Sequence, residues 1–448
     1  MYVVIGLGKT GVSCVRWLRA QGAAVRVLDT RANPPGLDAV RNEFPGLDIH
    51  CGDLRSDCLA AAATLVVSPG IAIATPEIAA AAARGAEVVG DIELFARHVR
   101  STQPEVPVIA ITGSNGKSTV TALVGEMAKA AGLRVAVGGN FGTPALDLLA
   151  TDVQCYVLEL SSFQLETTSS LQLASATLLN LSEDHMDRYA DFAAYGMAKQ
   201  RIFAHCALAV VNRDDPWSAP RDAFAGRSVG FGSGSSPVDF GIDTVDGARA
   251  ITHDGMPLVG TEELRIKGTH NQLNAMAALA LGLGARLPVD AMLQTLREFP
   301  GLPHRCRFVA EQGGVSWYND SKGTNIGATA AALAGLGENI RGKVVLIAGG
   351  QGKDQDFRLL DPHVRAHVRH VILIGQDAPL IHAALSQKEK LVAASSMDDA
   401  VARCAELAQP GDAVLLSPAC ASFDMYTGYD ARGTHFEQLV LARSGRAA

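Results

Sequence analysis

The chain has 448 residues, too many for one hydrophobic core, so several domains are expected. Apolar residues make up 48% and charged residues 19%, which excludes a disordered chain. The formal net charge of −7 argues against a general nucleic-acid binder, so any anionic ligand must be held by local cations, helix N-termini or metal. The eight cysteines (Cys14, Cys51, Cys58, Cys155, Cys206, Cys306, Cys404, Cys420) form no Cys-x-x-Cys pair and fit buried thiols of a reducing cytoplasm, not a disulfide frame or zinc site. No apolar run is long enough to span a bilayer, and Met1–Ile5 enters a strand pattern without a basic stretch before it, so neither a membrane segment nor a secretory leader is expected.

In chain order, Tyr2–Ile5 reads as a strand, Gly6-Leu7-Gly8-Lys9-Thr10-Gly11 as a glycine turn, Val12–Ala20 as a helix, and Ala24–Leu28 as a strand ending at Asp29-Thr30. This βαβ opening with Gly-x-Gly-x-x-Gly and an acid roughly 20 residues on is a nucleotide fingerprint. It says only that a diphosphate can approach the turn. A nicotinamide dinucleotide, another nucleotide with Asp29 at its base or ribose, and a purely structural turn all fit. Strands at Leu65–Ser68 and Glu87–Val89 continue the alternation to about Val99, and Ser101–Pro107 reads as a linker.

The apolar run Val106–Ile111 then leads into Thr112-Gly113-Ser114-Asn115-Gly116-Lys117-Ser118-Thr119 and a helical pattern from Val120 to Ala131. Strand, glycine loop and helix in that order form a phosphate loop. Its backbone N–H groups turn toward phosphate oxygens, Lys117 reaches the β/γ-phosphates, and the Ser118 hydroxyl meets Mg²⁺. Ile111 stands where the standard loop has its first glycine, and a chance glycine turn is the competing reading. Strands at Arg134–Val137, Cys155–Leu158, Ala176–Leu181 and Ala207–Asn212, with helices between them, predict a parallel sheet covered on both faces. Gly226–Leu264 suggests a small antiparallel excursion, and an Ala/Leu helix follows Asn274 to about Gly284. Beyond Leu302, strands at Lys343–Ala348, Val371–Ile374 and Ala413–Ser417 alternate with helices Ile326–Gly335 and Met397–Ala408. The fold class expected is α/β with three domains, each a largely parallel doubly wound sheet. Their expected bounds are 1–100, 101–301 and 302–448.

Open parallel sheets bind ligands at the carboxyl ends of their strands. Glu159 closes a strand where a nucleoside triphosphatase keeps an acid for Mg²⁺, and Ser161 and Gln164 follow it. His185 lies in the polar run Ser182-Glu183-Asp184-His185-Met186-Asp187-Arg188-Tyr189, at a predicted sheet rim. Lys199 falls on a predicted helix, Phe192–Phe203, where spacing alone favours a solvated lysine. Asn319-Asp320-Ser321-Lys322-Gly323-Thr324-Asn325, Gly349-Gly350-Gln351-Gly352-Lys353 and Ser417-Pro418-Ala419-Cys420-Ala421-Ser422 are polar stretches of the last domain that suggest a second half-site. His304 and Arg305 lie at the domain junction.

Taken together, the phosphate loop, Glu159-Leu160-Ser161-Ser162-Phe163-Gln164, Glu183-Asp184-His185-Met186-Asp187-Arg188-Tyr189, His270-Asn271-x-x-Asn274, Leu302-Pro303-His304-Arg305, Asn319-Asp320-Ser321-Lys322 and Leu416–Ser422 resemble the Mur ligase family, in its D-glutamate-adding form, over essentially the whole chain. The resemblance also accounts for the shortened phosphate loop. It implies a cytoplasmic, ATP-dependent ligase of peptidoglycan synthesis, serving cell-wall growth, shape and division and acting as a monomer, that adds D-glutamate to UDP-N-acetylmuramoyl-L-alanine through an acyl phosphate. By the same resemblance, Gly113, Ser114, Asn115, Gly116, Lys117, Ser118, Thr119, Asn271, Asn274, Arg305 and Asp320 bind ATP. Gly8, Lys9, Thr10, Asp29, Thr30, Asn140, Ser161, Gln164 and Tyr195 bind the UDP-sugar, with Asp29 and Thr30 at the uracil. Lys322, Thr324, Lys353, Ser422 and Tyr429 bind D-glutamate. Two Mg²⁺ ions are implied, held by Ser118, Glu159, His185 and Lys199, the last as a carbamate formed with CO2. Lys117, His185 and Lys199 are the implied catalytic residues. Two positions depart from the pattern: Tyr429 stands where phenylalanine is expected, and Gln351 where aspartate is.

Overall fold

Short runs of Val, Ile and Leu without polar alternation suit strands covered on both faces, and each such run becomes a parallel strand. The computed structural model describes residues 1–444 apart from Ala61, Asp222, Lys267, Glu338 and Asn339. The first sheet holds β1 (Tyr2–Ile5), β2 (Val25–Asp29), β3 (Asp48–Cys51), β4 (Thr64–Val67) and β5 (Glu87–Val89), all parallel in the order β3-β2-β1-β4-β5. The second holds β6 (Val108–Thr112), β7 (Val135–Gly139), β8 (Cys155–Glu159), β9 (Ser175–Leu178), β10 (Leu208–Asn212) and β11 (Arg227–Phe231), parallel in the order β11-β10-β9-β6-β8-β7.

Three antiparallel strands, β12 (Gly241–Val245), β13 (Ala248–His253) and β14 (Met256–Gly260), form a separate small sheet. The last sheet has β15 (Arg307–Gln312), β16 (Val315–Asn319), β17 (Val344–Gly349), β18 (Val368–Ile374), β19 (Leu391–Ala393) and β20 (Ala413–Leu416) in the order β15-β16-β20-β17-β18-β19. It is parallel except for the β15/β16 hairpin.

The first two sheets share a continuous apolar cluster in which Val4, Val15 and Phe95 join Tyr156 and Leu158, with the Phe95 and Tyr156 rings edge-on at 5.0 Å. The last sheet carries its own apolar cluster on each face. The third domain therefore meets the other two mainly through the polar cleft described below.

Several local expectations change. Arg227–Phe231 joins the edge of the parallel sheet, so the antiparallel excursion begins only at Gly241. The expected linker is shorter, because helix Asp91–Thr102 runs through Ser101 and Thr102, whose hydroxyls donate to the His98 carbonyl. The predicted helix Phe192–Phe203 is α-helical only to Gln200 and closes in a 3₁₀ turn, Arg201–Phe203. The strand expected over Ala176–Leu181 stops at Leu178 because the next backbone groups serve loops instead. The Asn180 carbonyl accepts from the Ser114 N–H (2.9 Å), and the Leu181 N–H donates to Asp215 Oδ2 (2.7 Å).

Candidate active site

The phosphate loop leaves the carboxyl end of β6, whose parallel neighbours β8 and β9 deliver Glu159 and Asn180 beside it. Gly116 adopts φ +84°, where any Cβ would press on the Asn274 side chain, so glycine is required. Helix Lys117–Ala130 begins at the lysine. Asn180 pins the loop, accepting at Oδ1 from the Asn115 N–H (2.9 Å) and donating from Nδ2 to the Asn115 carbonyl (3.1 Å). Sequence reasoning gave Asn180 no role. Its position two residues past an apolar strand was the available signal.

Glu159 is buried and engaged at both oxygens. Ser118 Oγ donates to Oε2 (2.6 Å) and Asn140 Nδ2 to Oε1 (2.7 Å). Arg305 Nη2 donates to Ser118 Oγ (2.6 Å), linking the third domain to the phosphate loop. Lys117 Nζ donates to the carbonyls of Gly113 (2.9 Å) and Ser114 (2.8 Å). Burial lowers its pKa, against the pull of Glu159 and Asp184.

Lys199 is 2% exposed, which overturns the solvated reading that spacing favoured. Its ammonium donates to the Gly113 carbonyl (2.9 Å) and Thr112 Oγ1 (3.3 Å). Burial, followed by repulsion from Lys117, presses its pKa well below the ordinary lysine value. His185 sits edge-on to Phe163 with ring centroids 4.9 Å apart. Burial lowers its pKa, although Asp184 opposes that.

Asp184, quoted within a motif but given no role, faces Lys353 Nζ at 3.6 Å across the domain junction. Lysines and arginines thus outnumber carboxylates here: Lys117, Lys199, Arg305, Lys322 and Lys353 converge on Glu159, Asp184 and Asp320. That excess suits a polyanion. His185, His304, Cys306, Lys353, Asp354 and Ala419 all hold left-handed φ between 48° and 59°, strain of the kind that surrounding structure sustains at functional sites.

A cleft of about 350 Å³ between the second and third domains is lined by Asn115, Gly116, Thr119, Asn271, Asn274, Arg305, Asp320 and Lys322. Asp320 accepts from the Cys306 N–H (3.1 Å) and from Ser417 Oγ (2.7 Å), and burial lifts its pKa to about 7. Lys322 Nζ stands 4.0 Å over the Tyr429 ring, and burial lowers its pKa to about 8. The Tyr429 carbonyl accepts from Ser321 Oγ (2.8 Å). The Ser422 hydroxyl is buried without a hydrogen-bond partner among the described residues, so it is a donor and acceptor left for a ligand. Thr324 lies two residues past Lys322, its N–H donating to the Lys322 carbonyl (2.8 Å).

A second cavity of about 470 Å³ gathers Gly8, Lys9, Thr10, Asp29, Thr30, Asn140 and Gln164 between the first and second domains. Gly11 allows this turn, since a Cβ there would overlap the Gly6 carbonyl oxygen. Asp29 is already committed: it accepts from the Leu7 N–H (2.6 Å) and pairs with Arg31, a lining residue that sequence reasoning did not single out. Ser161 and Tyr195 do not line this cavity. Ser161 forms a capping box with Gln164 at the start of helix Ser162–Glu166. Tyr195 is 1% exposed behind the phosphate loop, its hydroxyl 3.2 Å from Ser114 Oγ.

Ser118 and Glu159 place a hydroxyl and a carboxylate 2.6 Å apart, hard oxygens of the type Mg²⁺ takes. Among the described residues no group of three or more His, Cys, Asp and Glu is arranged to hold a metal. Also among the described residues, no helix is long and apolar enough to cross a membrane.

Comparison with known proteins agrees with this arrangement. Family models match in sequence: the MurD-like N-terminal domain of Mur ligases over residues 1–90, the Mur ligase middle domain over 111–282, and the Mur ligase glutamate ligase domain over 304–420. The UDP-N-acetylmuramoylalanine–D-glutamate ligase of Pseudomonas putida is 54% identical over 97% of this chain and 96% of its own. That of Pseudomonas aeruginosa is 51% identical over 98% and 97%.

Among solved structures, a MurF ligase of Thermotoga maritima in complex with ADP shares the fold at TM-score 0.63 and 17% identity, covering 98% of this chain and 95% of that one. The UDP-N-acetylmuramate–alanine ligase MurC of the same organism does so at TM-score 0.60 and 16% identity, covering 99% of each. Three family domains in order and half-identical relatives over nearly the full length place this chain in the Mur ligase family.

Proposed function

We infer that the chain is an ATP-dependent amide ligase that joins D-glutamate to UDP-N-acetylmuramoyl-L-alanine in cytoplasmic peptidoglycan precursor synthesis, working as a monomer. The observation that carries this reading is the double engagement of Glu159. One oxygen meets the phosphate-loop Ser118 and the other meets Asn140 of the second cavity, so one buried carboxylate links the phosphate loop to the second cavity. ATP lies in the cleft at Asn274, Arg305 and Asp320 with its phosphates on Gly113–Thr119. The uridine diphosphate lies across Gly8–Thr10, and its sugar reaches Asn140 and Gln164. Residues 1–100, 101–301 and 302–448 bind the UDP-sugar, ATP and D-glutamate respectively.

The chemistry begins with two anions that repel. The terminal carboxylate oxygen of the substrate attacks the γ-phosphorus, the bond to the β-bridging oxygen breaks, and ADP leaves with the electron pair. An acyl phosphate results. Lys117 leaves the loop carbonyls for phosphate oxygens, and Arg305 shifts from Ser118 onto the nucleotide. Both offset the charge that develops in line. Ser118 and Glu159 would hold one Mg²⁺ and His185 would face a second, and such ions would supply further neutralisation of the triphosphate.

Lys199 can react with CO2 only as a neutral amine, and its buried setting beside Lys117 favours that form. The ammonium first gives up one proton, and addition of the neutral amine to CO2 then gives a carbamate and releases a second, so a cation that would repel metal becomes an oxygen ligand. In the third domain, Lys322, Lys353 and the unpartnered Ser422 hydroxyl offer charge and hydrogen bonds to the two carboxylates of D-glutamate, with Thr324 and Tyr429 alongside. The amino group then attacks the acyl carbon, and phosphate departs.

Phosphate release from ATP, measured with UDP-N-acetylmuramoyl-L-alanine, Mg²⁺ and a panel of amino acids, tests this reading. Release with D-glutamate, and a product heavier by one glutamyl residue, is expected. Release only with another amine would move the chain to a different acceptor within the family. NAD binding at Gly6–Gly11 without turnover would return the first loop to its dinucleotide reading.

A further inference from the structure

Helix Asp91–Thr102 starts with two carboxylates buried to the same degree, Asp91 and Glu93, each 1% exposed at the junction of the first and second domains. Their surroundings differ. Glu93 is fully answered: Oε2 accepts from the N–H groups of Ser169 (2.8 Å) and Ser170 (2.9 Å), and Oε1 pairs with Arg97 (2.9 Å). That is how a carboxylate fastens two domains together. Asp91 Oδ2 accepts from Gln164 Nε2 at 3.1 Å, and among the described residues Oδ1 has no side-chain partner, facing only the N–H groups at the start of its own helix. A buried carboxylate left half-satisfied costs stability, so cohesion does not explain it.

What Asp91 touches does. Gln164 lines the cavity at Gly8 and Asn140, and its Oε1 accepts from the N–H and the Oγ of Ser161, each at 3.1 Å. An ionised carboxylate only accepts, whereas an amide partner can either accept or donate. Asp91 therefore fixes Nε2 toward itself and Oε1 toward Ser161, and the loop that follows Glu159 is held in one hydrogen-bonding polarity. Gly90 brings the helix close enough, since a Cβ there would overlap Thr167 Oγ1.

We propose that Asp91, a residue of the first domain, is a positioning residue for the UDP-sugar: it orients Gln164 and Ser161 of the second domain without touching the ligand. This rests on the functional reading above.

Direct binding of UDP-N-acetylmuramoyl-L-alanine and, separately, of ATP to the full chain tests it. Asp91→Ala is expected to weaken the UDP-sugar about tenfold and leave ATP affinity unchanged, the loss of one charge-assisted hydrogen bond. Asp91→Asn, which still accepts from Nε2, is expected to recover most of the loss. Glu93→Gln is expected to lower the melting temperature while the UDP-sugar affinity holds. If Asp91→Ala does not fold, Gln164→Glu supplies the test. It opposes two carboxylates, and Asp91→Asn in that background is expected to restore part of the affinity. Unchanged UDP-sugar binding in Asp91→Ala, equal losses for both ligands, or no recovery in either Asn variant would overturn the proposal. Failure of the unmodified chain to bind the UDP-sugar would instead overturn the functional reading, and this inference with it.

Discussion

The chain contains two loops built to one plan. At Gly6–Gly11 and again at Gly113–Ser118, a buried β-branched strand ends in glycines and a helix starts at a lysine, Lys9 in the first and Lys117 in the second. Both helix starts present backbone N–H groups to an anion. They differ in what the adjacent strand delivers. Beside the first loop, β2 ends in Asp29, already neutralised by Arg31 and the Leu7 N–H, and Lys9 lies exposed. Beside the second, β8 ends in Glu159, with Lys199 and Arg305 close by in a buried setting. Backbone geometry alone suffices to hold a diphosphate, while moving a phosphoryl group needs buried charges of both signs at the same place. On the proposed reading, the first loop holds and the second reacts.

Substitutions that exchange or remove these charges should separate the two loops. The largest effect is expected for Lys117→Ala, a fall in kcat of about a thousandfold with UDP-sugar affinity retained, read by steady-state phosphate release and direct binding. An equal loss of UDP-sugar affinity would break the division of labour. Next comes Lys199→Arg, which keeps the charge but cannot form a carbamate. Its kcat should fall about a hundredfold, and added bicarbonate should activate the unmodified enzyme after CO2 depletion but not the variant. Lys9→Ala should be milder. A solvated lysine on a diphosphate changes the KM for the UDP-sugar by less than about tenfold and leaves kcat alone.

The smallest effect concerns what buried charge costs. Asp320 has a pKa of about 7 in the fold, above the value near 4 of an unfolded aspartate. The folded state therefore holds the proton more tightly between those values. Its stabilising contribution is complete below about pH 4 and is lost as pH rises through 7. Asp320→Asn should accordingly gain about 1–2 kcal/mol relative to the unmodified chain between pH 5 and pH 8, measured by urea unfolding. A pH-independent difference would place Asp320 in a wetter setting than the cleft provides.

Local pattern made much of this legible. The phosphate loop, Glu159 at a strand end and the polar run around His185 were all visible, because strand ends and glycine turns obey rules of a few residues' reach. Lys199 was misjudged on spacing for a physical reason. A helix of small residues with one lysine looks solvated until the loop that covers it is known. Asp184 and Asn180 were passed over because one acts through Lys353, distant in the chain, and the other on backbone groups of the phosphate loop, whereas Arg31 pairs with Asp29 only two residues away. Tyr195, expected near the sugar, is buried with its hydroxyl 3.2 Å from Ser114 Oγ of the phosphate loop.

The sequence by itself determined three doubly wound α/β domains, the two nucleotide loops and the residue types gathered at the strand ends, since all follow from periodicity and local turn chemistry. Only the tertiary structure decided which loops share a site. The order β9-β6-β8 sets Asn180, Ser118 and Glu159 side by side, and the packing of the third domain brings Arg305 and Lys353 onto them. It also decided which charges are buried, and hence which have shifted pKa values. Burial is a property of what covers a residue, and what covers these residues comes from segments distant in the chain.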